Sequence, residues 1–229
     1  MRVFINGFGR IGRSVLRAHL LSPTKWAGLE IVGINDIAAA EMCAYLFEYD
    51  SVFGPWRGTV ALEGGALVVD GRRVPLHRTP DLSVLDLKGV DLVMECTGRA
   101  EAREVAERGL RAGAARVLVS GPSGAADVTV VLGANDGVLR DQRIVSNASC
   151  TTNALAPLAK LIHRNWGIVT GSMTTVHCYT GSQPTVDAPA ADYPRSRAAA
   201  LSMVPTTTSA ARLLDGVLPE VAGRITAQA

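Results

Sequence analysis

A doubly wound α/β fold, in which helices cover both faces of a parallel sheet, is what this sequence predicts, on three observations. Short apolar runs alternate with helical patterns through the first half of the chain. That β-α-β rhythm is the signature of a parallel sheet buried on both faces. A glycine-rich turn, Gly7-x-Gly9-x-x-Gly12, joins the first run to the first helical pattern.

Taken in order, Val3–Ile5 is the first strand and Ile11–Leu21 the helix behind it. Ile31–Ile34 is the second strand. Gly58 to Pro80 breaks the rhythm with Gly64-Gly65 and Asp70-Gly71 between short alternations, which predicts an antiparallel excursion built on hairpins. Asp91–Glu95, Arg116–Val119 and Ile144–Ser146 continue the strands, with Glu101–Ala112 as a helix. A helix is expected over 150–166, with Pro157 kinking or restarting it. Ile168–Val176 is a strand candidate ending at His177. Cys178 to Pro205 has little periodicity and holds Pro184, Pro189, Pro194 and Pro205, so it reads as a long ordered loop of the kind that carries function. Ser209–Leu218 is a short helix and Arg224–Ala229 begins a strand. The change of character after residue 149 divides the chain into expected domains 1–149 and 150–229.

Bulk properties narrow the function classes. Apolar residues make up 48% of the 229, ample for a core. Charged residues are 19% and the net charge is +2, with no long run of either sign, so no nucleic-acid surface is expected. No stretch approaches the roughly 20 apolar residues that span a bilayer, and the first strand leaves no room for a signal peptide. The four cysteines, Cys43, Cys96, Cys150 and Cys178, have neither C-x-x-C nor disulfide-framework spacing. A reduced, cytoplasmic protein without a metal, and without membrane or nucleic-acid partners, is the expectation.

The glycine motif follows a strand and opens a helix, the context in which it marks a Rossmann-type dinucleotide site. Gly7, Gly9 and Gly12 permit a tight turn and close approach of the backbone to a pyrophosphate at the helix N-terminus. Asp36 ends the second strand candidate, where an acid can bond a ribose 2′-hydroxyl and repel a 2′-phosphate. NAD is therefore favoured over NADP.

The second motif is Ser146-Asn147-Ala148-Ser149-Cys150-Thr151-Thr152-Asn153. Cys150 stands where a helical pattern begins. Unpaired backbone N–H groups and the helix dipole there favour thiolate, so it is read as a nucleophile. His177, at the end of Met173-Thr174-Thr175-Val176-His177, is the best candidate base.

Together these two motifs, at opposite ends of the first 153 residues, resemble the phosphorylating glyceraldehyde-3-phosphate dehydrogenase family, and the resemblance runs the length of the chain. It implies that the second domain is the start of an α+β catalytic domain, incomplete here because the family's sequence continues. It also implies that Arg10 and Ile11 contact the pyrophosphate through their backbone and that Arg78 lies by the adenine. Thr97 and Gly98 would lie along the cofactor, and Ser120 near the nicotinamide. For substrate phosphate and inorganic phosphate it implies Ser149, Thr151, Thr180, Thr208 and Ser209, with either Arg195 or Arg197 as the guanidinium. The implied activity is oxidation of glyceraldehyde 3-phosphate through a Cys150 thioester and release of an acyl phosphate, by a homotetramer whose long loop is 178–205.

The chain also departs from the family pattern. Ala154 replaces a second cysteine, which leaves Cys150 open to sulfenic chemistry. Ser209 stands at a usual glycine, and Ala188 replaces a bulkier apolar residue by the ribose, which weakens the preference for NAD. Cys43, Cys96 and Cys178 are expected to be packing residues. Alternatives are erythrose-4-phosphate dehydrogenase, a semialdehyde dehydrogenase, or an inactive NAD-binding fragment. The segment His177-Cys178-Tyr179-Thr180-Gly181-Ser182-Gln183 and the run Thr206–Thr208 favour the triose enzyme.

Overall fold

The computed structural model describes residues 1–181 and 183–229. Ser182, part of the segment just quoted, lies outside the described residues. The chain divides into two compact units, residues 1–130 with 139–148, and residues 131–138 with 149–229.

The first unit opens with β1 (Arg2–Asn6), α1 (Arg10–Leu21), β2 (Glu30–Asn35) and α2 (Ala40–Glu48). A small hairpin, β3 (Tyr49–Asp50) and β4 (Gly54–Pro55), precedes the excursion of β5 (Val60–Glu63), β6 (Ala66–Val69) and β7 (Arg72–His77). Then come β8 (Leu92–Glu95), α3 (Arg103–Ala106), α4 (Arg108–Arg111), β9 (Arg116–Val119), β10 (Val128–Thr129) and β11 (Ile144–Ser146). Its main sheet has nine strands in the order β10-β11-β9-β8-β1-β2-β7-β6-β5. Pairing is parallel from β10 to β7 and antiparallel across β7-β6-β5, so the excursion expected at 58–80 forms the antiparallel edge of the sheet.

The alternation of β1 explains the two-faced burial. Val3 and Ile5 enter one cluster with Phe8, Leu16 of α1, and Cys43 and Phe47 of α2. Phe4, between them, enters the other with Val93, Ala106 of α3, Val117 and Ile144. Successive strand side chains point to opposite faces, so one strand anchors both layers. Each such side chain, fully removed from water, contributes roughly 1.5–3 kcal/mol before entropy is counted.

One expectation is corrected in this unit. Glu101–Ala112 is not one helix: two single turns, α3 and α4, meet at Glu107. Gly109 there sits so close to the sheet that a Cβ would lie 3.0 Å from a Val117 methyl and 3.1 Å from one of Val93. Two elements were not foreseen: α2 buries only Cys43 and Phe47, too sparse a stripe to announce a helix, and the β3-β4 pair is only two residues long on each side.

In the second unit, α5 (Cys150–Trp166) runs unbroken with Pro157 inside it. It is followed by β12 (Gly171–Thr174), α6 (Ala210–Val217) and β13 (Ile225–Gln228). β12 pairs in parallel with β13, from Gly171↔Ile225 to Thr174↔Gln228. This partner explains why the strand ends at Thr174 and not at Val176: no β13 residue pairs beyond Gln228, and the last contact is Thr175 N–H to the Gln228 carbonyl, 2.9 Å. The loop after it is ordered by its own bonds. Ala188 N–H donates to the Ser196 carbonyl (3.0 Å) and Ala199 N–H to that of Pro184 (3.0 Å). The Asp187 carboxylate accepts from Ala198 N–H at 2.9 Å.

Among the described residues no helix is long and apolar enough to cross a membrane, and no cluster of His, Cys, Asp or Glu could hold a metal ion.

Candidate active site

Ser149 is the N-cap of α5: its Oγ accepts from Thr152 N–H at 3.0 Å, fulfilling the cap role that serine favours. Cys150 is therefore the first helical residue, with its sulfur at the positive end of a 17-residue helix. Its Sγ lies 3.1 Å from Nε2 of His177. The other ring nitrogen, Nδ1, is 2.5 Å from the Cys178 carbonyl. A carbonyl can only accept, so Nδ1 carries a proton and Nε2 is the nitrogen that exchanges one with sulfur.

The electrostatics follow this geometry. His177, and secondarily the hydroxyl and N–H of Thr151, hold the Cys150 thiol below its ordinary 9.0, against the opposing effect of partial burial. The sulfur and the Cys178 carbonyl in turn raise the His177 imidazole above 6.5. The pair is thus biased toward thiolate and imidazolium. Cys43 and Cys96 behave in the opposite way: burial pushes each up to about 11. Cys178 is not the packing residue expected, since it is exposed.

Cys150 and His177 line a cavity of about 920 Å³ that lies wholly within the second unit. Ser149, Thr151, Thr180, Thr208 and Ser209 line it too. The two arginines separate. Arg195 lines the cavity, its Nη1 2.8 Å from Asp192 and its Nη2 3.3 Å from the Thr207 carbonyl. Arg197 does not line it and turns to Asp187 at 2.7 Å. Asp192, which with Thr207 positions Arg195, was missed by sequence reading; an acid three residues before an arginine in a loop is too common to stand out.

The residues expected at the cofactor all lie at the carboxyl ends of parallel strands in the first unit. Gly7, Gly9, Arg10, Ile11 and Gly12 follow β1, Asp36 follows β2, Thr97 and Gly98 follow β8, and Ser120 follows β9. That edge is where open α/β sheets bind ligands. Gly7 has φ +92, and a Cβ on it would stand 2.7 Å from Thr97 N; one on Gly12 would stand 2.2 Å from the Gly7 carbonyl oxygen. Both are fixed by close packing of the turn. A Cβ on Gly9, by contrast, would meet nothing within 4 Å, and α1 has no side-chain cap. Open space in front of uncapped N–H groups fits a pyrophosphate.

Asp36 is held by Phe8 N–H (2.6 Å) and Ala38 N–H (2.8 Å), which fixes an acceptor carboxylate beside the glycine turn. Arg78 donates to the Ile37 carbonyl at 3.0 Å, next to that acid. The Arg10 side chain turns away to Asp50 at 2.5 Å, which leaves its backbone for the ligand.

Behind this edge lies a buried polar network that sequence reading missed. Asn6 donates to Glu95 (2.5 Å) and Asn35 donates to Asn6 (2.8 Å). Glu95 also accepts from Thr97 N–H at 2.9 Å. Each of these three buried residues ends a strand, and a polar residue closing an apolar run was the available signal.

Comparison with known proteins gives a consistent result. Residues 1–103 match the family described as glyceraldehyde 3-phosphate dehydrogenase, NAD binding domain, and residues 149–229 match its C-terminal domain. The chain is 46% identical over 233 residues to glyceraldehyde-3-phosphate dehydrogenase of Geobacillus stearothermophilus, covering 100% of this chain and 68% of that protein. With the enzyme of the same name from Xanthobacter flavus it shares 48% over 230 residues, 98% of this chain and 68% of the relative. The Pseudomonas aeruginosa counterpart is 48% identical over 229 residues, 99% and 68% respectively.

Proposed function

The chain belongs to the glyceraldehyde-3-phosphate dehydrogenase family, and on that premise we propose that it oxidises glyceraldehyde 3-phosphate with NAD and inorganic phosphate to 1,3-bisphosphoglycerate. The observation that carries this reading is the 3.1 Å contact between Cys150 Sγ and His177 Nε2 at the start of α5, inside a cavity lined by hydroxyls and one arginine.

In this reading residues 1–149 bind the cofactor and 150–229 carry the chemistry. The Cys150 thiolate adds to the aldehyde carbon, and the imidazolium of His177 gives its Nε2 proton to the oxygen that becomes negative. The neutral imidazole then takes that proton back as the carbon is oxidised, and a thioester remains on Cys150. NAD, when bound, supplies the hydride acceptor; Gly7, Gly9, Gly12 and the backbone of Arg10 and Ile11 would hold its pyrophosphate, and Asp36 its ribose. An oxygen of inorganic phosphate attacks the thioester carbonyl, the sulfur leaves as thiolate, and the acyl phosphate departs. Arg195, with its planar fork, serves a phosphate, while Ser149, Thr151, Thr180, Thr208 and Ser209 add donors without adding charge. The loop 178–205 exposes Tyr193 (93%), Leu201 (87%) and Met203 (89%), which supports a homo-oligomer, and a cytoplasmic location goes with this chemistry.

Steady-state NADH formation tests the proposal. The rate should require phosphate, vanish in Cys150→Ser, and be faster with the triose than with erythrose 4-phosphate. A rate indifferent to phosphate, or faster with the tetrose, overturns it.

A further inference from the structure

The first unit carries a second cleft, of about 760 Å³, between the C-terminal half of α1 and the segment Phe53–Gly58. We propose that it binds a small organic phosphate, a phosphate monoester on an apolar body of about one ring.

The argument begins with Arg17. Arg17 is one of the residues lining the cleft although it is only 5% exposed. Its Nη2 donates to the carbonyls of Phe47 (2.5 Å) and Glu48 (3.2 Å). Its Nε is buried without a partner. Among the described residues no carboxylate pairs with it. Carbonyl dipoles and the rings of Phe47 and Trp56, 5.3 and 5.5 Å from its central carbon, stabilise the cation only in part. A buried guanidinium without an anion is costly, and an oxyanion in the cleft removes that cost.

Two further features define the ligand. Arg57 lines the same cleft, exposed and with no ion pair among the described residues. Two guanidiniums on one opening, neither paired with a carboxylate among the described residues, suit a phosphate dianion. The one acid lining the cleft, Asp70, is already engaged by Trp56 Nε1 (3.0 Å) and Thr59 N–H (2.7 Å). It fixes the indole as a wall, and with Leu20 and Phe53 that wall accepts an apolar body. The supporting loop is stiff, because Asp50 accepts from Val52 and Phe53 N–H at 2.8 Å each. The volume lies in the range of small-molecule sites, roughly 300–1,000 Å³.

The test uses the full chain with Trp26→Phe and Trp166→Phe, which leaves Trp56 as the only one of the three tryptophans. Phenyl phosphate should quench its fluorescence saturably in the presence of excess NAD. Arg57→Glu and Arg57→Gln should each raise the half-saturating concentration about tenfold or more, the effect of losing one charged hydrogen-bond partner. Arg195→Ala should leave it unchanged. Benzyl alcohol and inorganic phosphate, each lacking half of the required chemistry, should respond at least about tenfold more weakly. A response insensitive to both Arg57 variants, or equal for phenyl phosphate and either probe, overturns the proposal; so does the absence of quenching.

Discussion

Replacing His177 with asparagine should slow alkylation of Cys150 at neutral pH without abolishing it. The sulfur has three sources of stabilisation as an anion: the imidazole at 3.1 Å, the hydroxyl and N–H of Thr151, and the uncompensated N–H groups at the start of α5. Only the first is lost in the variant. A hydrogen bond to a charged partner contributes about 1.5–3 kcal/mol. Both groups are exposed to solvent, which screens the interaction and places this one at the bottom of that range. At about 1.4 kcal/mol per factor of ten, the ratio of thiolate to thiol falls roughly tenfold. The assay is the pseudo-first-order rate of iodoacetamide modification, read by mass spectrometry from pH 5 to about 10. Since thiolate is the reacting form, a thiol titrating below 9.0 reaches its plateau rate at lower pH than free cysteine. His177→Asn should move that rise to higher pH and keep the plateau. Identical profiles in the two proteins would refute the coupling inferred from the contact.

The glycine turn predicts a split between neighbours. Gly7→Ala, forced to φ +92 against Thr97, should lower stability by about 1–3 kcal/mol, seen in urea unfolding. Gly9→Ala has open space and should unfold like the parent while binding NAD more weakly by calorimetry. Arg195→Ala should raise KM for the phosphorylated substrate about tenfold or more, whereas Arg197→Ala, whose side chain is spent on Asp187, should leave KM near the parent value. Asp50 is held below the ordinary carboxylate range first by the hydrogen bond from Arg10 and then by the N–H groups of Phe53 and Val52. A depressed carboxylate stabilises the fold above its unfolded value of 3.8 and loses that contribution as pH falls through the folded value. The urea midpoint should therefore drop below about pH 4, and Asp50→Asn should flatten that drop. At pH 7 the variant should be about 1–2 kcal/mol less stable, a buried-pair loss reduced by the half-exposed Arg10.

What was legible in the sequence was what neighbouring residues decide. Val3, Phe4 and Ile5 announce a strand with two buried faces, and Ser149 before Cys150 announces a capped helix with sulfur in its first turn. What was not legible depends on partners far along the chain. The bond between Asn6 and Glu95 spans 89 residues, so nothing local to either marks it. The choice between Arg195 and Arg197 rests on which carboxylate each one meets in the folded loop, Asp192 or Asp187, and both acids precede both arginines by ten residues or fewer. Nothing local marks the break of Glu101–Ala112 at Glu107, and the close seat of Gly109 on Val93 and Val117 just after it is again a matter of packing.

The composition of the cavity around Cys150 answers a problem that the proposed reaction poses. Phosphate anions must approach a sulfur that is itself negative, and like charges a few ångströms apart suppress each other's ionisation. Surrounding the site with cations would relieve the repulsion, but it would also stabilise the thiolate as a leaving group and weaken it as a nucleophile, since nucleophilicity falls with pKa. The side chains lining the cavity avoid this: only Arg195 and, when protonated, His177 carry positive charge there, and the other polar groups are almost all hydroxyls. Arg195 is moreover partly neutralised by Asp192 at 2.8 Å. Hydroxyls lend hydrogen bonds to an anion without altering the field at the sulfur by a full charge. His177 is thereby left as the main control on Cys150, and because its Nδ1 is held by the Cys178 carbonyl, that control is exercised through one nitrogen and one proton.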